Sequence, residues 1–63
     1  MNSDEERVLF EECGWEYNYI KREWVSSDGE RRISIDSVMA VTSEGPEGEE
    51  RLRALVKSKC RGG

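Results

Sequence analysis

The chain has 63 residues, of which 35% are apolar, 38% charged and five aromatic, so its core must rest on a few large side chains. No apolar run approaches the roughly 18 to 20 residues that span a bilayer, and no basic start followed by an apolar stretch marks a secretory signal. The expectation is therefore one soluble, cytosolic domain over 1–63, frayed at 1–3 and 61–63. With no histidine and two cysteines, a Cys/His zinc set, an imidazole base and a multi-disulfide framework are all excluded. Cys13 and Cys60 read as buried free thiols, with pairing in an oxidising compartment as the alternative.

The net charge of −4 is uneven. Residues 1–50 carry all fourteen acids and five bases, whereas residues 51–63 carry five bases and no acid. Much of this polarity is what helix dipoles require.

Ser3 is placed to cap a helix over about Asp4 to Cys13, with Glu6 reaching back in a capping box. Gly14 suits the left-handed position after that helix, which puts Trp15 where it folds back over Phe10. From Trp15 to Ile33 the period becomes extended. Trp15, Tyr17 and Tyr19 alternate with Glu16 and Asn18, Lys21-Arg22 interrupts, Glu23 to Ser26 resumes, and Ser27-Asp28-Gly29 reads as a tight hairpin turn before Glu30 to Ile33. This predicts a hairpin or three-strand meander.

Residues 34–42 suit either a short helix behind a Ser/Asp cap or a further strand, and the helix is preferred. Gly45-Pro46 punctuates a loop over 42–48, and Pro46 fits the first position of a helix that should run from about Glu47 to Cys60. Leu52, Leu55, Val56 and Cys60 form its apolar stripe. The fold class is thus a small α+β domain in the order helix, hairpin or meander, short helix, C-terminal helix, with the two longer helices on one face of the sheet. Its expected core is Leu9, Phe10, Cys13, Trp15, Tyr17, Trp24, Val25, Ile33, Val38, Leu52, Leu55 and Val56.

Three surfaces are candidates for function. The aromatic hairpin interleaves Trp15, Tyr17, Tyr19 and Trp24 with Lys21, Arg22, Arg31 and Arg32 in the manner of a base-stacking surface, but so small a core needs its tryptophans inside, leaving one tyrosine to be exposed. Arg53, Lys57 and Arg61 share one side of the last helix and could meet phosphates, against a pI near 4.8. Carboxylates cluster in the first helix, including Glu11 and Glu12, and around the last, including Glu47, Glu49 and Glu50. Such clusters dock basic protein surfaces, and no calcium-loop spacing accompanies them.

The terminal Arg61-Gly62-Gly63 resembles, over three residues, the diglycine ends of ubiquitin-like carrier proteins. In those families a β-grasp strand precedes the tail, whereas here a predicted helix does, and a glycine helix stop is the competing reading. With no catalytic constellation, metal set or cofactor motif, the expected function is a small acidic non-enzymatic binding protein. It would be a regulator or inhibitor of the kind bacteria and their phages encode, docking on another protein through Glu11, Glu12, Tyr19, Glu47, Glu49 and Glu50. The alternative is a nucleic-acid-binding module using Lys21, Arg22, Arg31, Arg53, Lys57 and Arg61. No membrane partner is expected, and a second copy could cover an apolar patch.

Overall fold

The computed structural model describes residues 1–60; the readings made for Arg61 and the diglycine tail lie outside them. A helix, Ser3–Glu12 (α1), leads into three strands, Glu16–Asn18 (β1), Glu23–Val25 (β2) and Arg32–Ser34 (β3), followed by two helices, Ile35–Thr42 (α2) and Pro46–Lys57 (α3). The strands form one antiparallel sheet in the order β1-β2-β3. This is the expected small α+β order.

The first helix starts one residue earlier than its sequence suggested. Asn2, not Ser3, is the cap: its side-chain oxygen accepts the Glu5 N–H at 2.8 Å, and its carbonyl accepts the Glu6 N–H at 3.0 Å. At the other end Gly14 takes a φ of +83° and donates to the Glu11 carbonyl at 3.0 Å, while the Trp15 N–H donates to the Phe10 carbonyl at 2.9 Å. These two bonds close the helix as a Schellman motif. The Trp15 ring consequently meets Phe10 edge-on, 5.2 Å between centroids.

In the sheet, Tyr17, Trp24 and Ile33 stand directly opposite one another and share the inner face. Phe10 of α1 stacks flat on Trp24 at 4.6 Å. Trp15 reaches past the sheet to donate its indole N–H to the Val56 carbonyl at 3.1 Å. Phe10, Cys13, Trp15, Trp24, Ile33, Val38, Leu52 and Val56 make the buried core, with Leu9, Tyr17 and Leu55 half-buried against it. Val25 departs from expectation, because its register partners Glu16 and Arg32 put it on the outer face, where it is half-buried outside the core.

Side chains supply the turn chemistry. Asn18 accepts the N–H groups of Ile20 and Lys21 at 3.0 and 3.1 Å, which holds the β1–β2 turn and lets Arg22 adopt a left-handed φ of +53°. The β2–β3 connection is wider than the tight Asp-Gly hairpin expected. Ser26 donates its N–H to the Arg31 carbonyl at 2.9 Å, and Asp28 accepts from the Ser26 hydroxyl and the Glu30 N–H, so the strand begins at Arg32 and not at Glu30.

Ser34 caps α2 by accepting the Ser37 N–H at 3.1 Å, which favours helix over strand for this segment. Pro46 opens α3, as expected. Gly48 is buried where a Cβ would collide with the Val41 carbonyl oxygen, so α2 and α3 approach closely here. The last helix packs on α2 and to a smaller extent on α1, and its Leu52 and Val56 join Trp24 and Ile33 of the sheet in one buried cluster. It ends at Lys57, three residues short of the sequence estimate, because the following residues serve other bonds. Lys59 reaches Asp28 and Glu30 at 3.1 Å each, and Cys60 joins Cys13 in a disulfide with the Cα atoms 4.1 Å apart. The reading of two free thiols is thereby corrected.

Candidate functional site

The N-terminal ammonium of Met1 lies 2.5 Å from Glu49, and Cys13 is bonded to Cys60, so α1 and α3 run parallel with like ends together. This geometry decides where the charges fall. Asp4 and Glu5 of α1 share one end of the molecule with Glu47 and Glu50 of α3. Glu49 is less available than its neighbours, since it is half-buried and the ammonium beside it holds its carboxyl below the usual carboxylate range. Glu11 and Glu12 are exposed at the opposite end of α1, so the acidic residues proposed for docking do not form one patch.

Glu11 instead borders a groove between α1 and the inner edge of the sheet. The groove has a volume of about 240 Å³ and is lined by Tyr17, Tyr19 and Trp24 from the sheet, Asp4, Glu6, Arg7 and Glu11 from α1, and Ile35. Tyr17 meets Tyr19 edge-to-face at 4.8 Å and leans on Trp24 at 5.1 Å. Trp24 donates its indole N–H to Glu6 Oε2 at 3.1 Å, so Glu6, expected in a capping box, holds the aromatic floor to the helix. Both tryptophans are core residues, 2% and 4% exposed, whereas Tyr19 is 83% exposed. That division matches the sequence reading.

Ile20 is a residue that sequence reasoning passed over. It is 94% exposed at the tip of the β1–β2 turn beside Tyr19, and with Val25 it borders the outer face of the sheet. The available signal was a large aliphatic residue placed directly before the polar Lys21-Arg22 pair.

The basic residues are dispersed. Lys21 and Arg22 occupy the β1–β2 turn and Arg31 the β2–β3 loop, at opposite ends of the sheet. Arg53 and Lys57 line a second groove whose other wall carries Asp4, Glu5 and Glu12 of α1, so carboxylates face the α3 stripe across that groove. Arg51 is ion-paired with Glu44. Lys59 is held between Asp28 and Glu30, which raise its pKa, and Asp28 is lowered to about 2, chiefly by the Ser26 hydroxyl, then by the Glu30 N–H and by Lys59.

Among the described residues no three cysteine or carboxylate side chains gather as a metal-holding group, and no helix is long and apolar enough to cross a membrane. No protein-family model, curated protein or solved structure matches the chain.

Proposed function

We propose that this chain is a small, acidic, non-enzymatic binding protein that regulates or inhibits another protein by docking on it. The observation that carries the reading is the carboxylate-bordered aromatic groove between α1 and the sheet, flanked by the exposed Tyr19 and Ile20. Exposed aromatic residues set among acids supply a compact anchor with a charged rim, the combination that steers and holds a basic protein surface. Dispersal of the bases over separate parts of the surface weighs against a phosphate-tracking stripe. The cytosolic expectation rests on the absence of a spanning or signal-like run; a closed Cys13–Cys60 pair instead favours an oxidising compartment as the place of work.

The test is affinity capture from native lysate at low salt, with and without nuclease, using the wild-type chain and a Glu11→Lys/Glu12→Lys variant. A specific protein retained in both samples by the wild type and lost by the variant is the expected result. Retention that disappears with nuclease transfers the assignment to a nucleic-acid function through Lys21, Arg22, Arg31, Arg53 and Lys57.

A further inference from the structure

The groove between α1 and the sheet narrows the chemistry of the partner. Its volume of about 240 Å³ lies below the roughly 300–1,000 Å³ of pockets that enclose small-molecule ligands, so it suits one side chain of a larger partner. Three carboxylates, Asp4, Glu6 and Glu11, and one guanidinium, Arg7, line it, which leaves a net charge of −2. Arg7 and Asp4 lie 3.5 Å apart and offset each other, so the balance rests on Glu6 and Glu11.

The two carboxylates are held differently. Glu6 uses Oε2 to receive the Trp24 indole, which orients the group and leaves Oε1 as an acceptor without that partner. Glu11 is exposed on the same helix, and its own carbonyl is fixed by the Gly14 bond that closes α1. Opposite them, Tyr17 and Tyr19 meet at 86° and form an aromatic corner, while Trp24 is covered by Phe10 and Tyr17. An aromatic face beside carboxylates is selective for a cation: the ring quadrupole attracts positive charge, and the acids take its hydrogen bonds. An anion would be repelled by both, and a neutral apolar group would gain nothing from the acids.

We infer that this groove seats the cationic side chain of an arginine or lysine in a basic segment of the partner protein, with its stem against Tyr17 and Tyr19 and its charge toward Glu6 and Glu11. The inference rests on the docking function proposed above. It adds the identity of the anchoring residue and the place where it binds.

The experiment follows the tyrosine ring signals and the Trp24 indole N–H by NMR while the oxidised chain is titrated with the blocked tripeptide acetyl-Gly-Arg-Gly-amide. The control is the same peptide with citrulline, which keeps the shape and removes the charge. Saturable shifts at Tyr17, Tyr19 and Trp24 with the arginine peptide, and binding about tenfold weaker or absent with citrulline, are expected for a charge-dependent seat. Tyr19→Ala should weaken binding by about two- to fivefold, the range for an exposed cation–aromatic contact. Glu11→Gln should weaken it further, and Glu50→Gln, on α3 and outside the residues that line the groove, should not. Both groove substitutions replace exposed side chains, so the fold is retained.

Absence of saturable shifts at millimolar peptide, an equal response to citrulline, or indifference to Tyr19→Ala and Glu11→Gln together would overturn the inference. Its failure is distinguishable from failure of the docking function. A partner captured by the wild type and still captured by Tyr19→Ala and Glu11→Gln removes the seat and keeps the docking. No captured partner removes the docking, whatever the peptide does.

Discussion

Glu6 and Gly48 show how far a single residue's role can differ from its usual one. Glu6 has the sequence position of a capping-box acid, yet its carboxylate accepts the indole N–H of a buried tryptophan from the sheet. Glu6→Ala leaves that N–H without its acceptor and should destabilise the chain by about 1–3 kcal/mol, the cost of an unsatisfied buried donor. Glu6→Gln keeps an acceptor oxygen and should cost much less. Denaturant unfolding of the two variants measures the difference. In most helices Gly→Ala gains about 1 kcal/mol. At Gly48 the new methyl meets the Val41 carbonyl of the neighbouring helix, a backbone atom that cannot rotate away. Gly48→Ala should therefore reverse the usual sign and cost about 1–3 kcal/mol, as overpacking does; an unchanged or raised midpoint would show that the two helices can separate without penalty.

Elements specified by local chemistry were legible in the sequence, and those specified by distant partners were not. The closure of α1 is wholly local, since Gly14 permits the left-handed turn and Phe10 and Trp15 lie at the spacing that brings them together. Ser34 before α2 and Pro46 at the start of α3 are local as well. The β2–β3 loop differs because Asp28 has three partners beyond a simple hairpin: Ser26, Glu30 and, thirty-one residues later, Lys59. Nothing in Ser27-Asp28-Gly29 announces that lysine. The groove was half legible: Glu11 and Tyr19 were candidates for docking, but Tyr17 was expected in the core, Glu6 was expected in a capping box, and the pairing of Glu6 with Trp24 needed the two elements in space.

The loop's electrostatics also set a pH dependence. Asp28 drops from 3.8 to about 2 on folding, so its contribution to stability is full above its unfolded pKa and is lost as pH falls from about 4 toward 2. The Lys59 pKa is raised, so its contribution is full below its unfolded value of 10.5 and is lost as pH rises through the higher folded value. Carboxyl titration followed by NMR should give Asp28 a midpoint near 2, and Asp28→Asn should flatten the loop's share of the acid-side decline; a midpoint at 3.8 would mean that the loop bonds do not form in solution.

For the molecule as a whole, the decisive feature is the bond between Cys13 and Cys60. The buried apolar cluster has eight members and the chain length implies a stability of only about 3–9 kcal/mol, so one strong constraint can govern whether the fold persists. The disulfide joins positions 47 residues apart, and closing a loop of that size in the unfolded chain is worth about 4 kcal/mol on the chain-entropy account. It also ties the ends of α1 and α3 beside the Phe10–Trp15 contact, so it fixes the parallel arrangement that gathers Asp4 and Glu5 with Glu47 and Glu50. A Cys13→Ala/Cys60→Ala variant should melt about 15–30 °C below the oxidised chain, given about 4–8 °C per kcal/mol for a domain of this size. Chemical reduction of the wild type should reproduce most of that loss. Thermal melts followed by circular dichroism compare all three forms. If the reduced and oxidised chains melt together, the core alone carries the fold and the argument for an oxidising compartment loses its physical basis; if reduction unfolds the chain at physiological temperature, binding by the aromatic groove becomes conditional on the redox state of its surroundings.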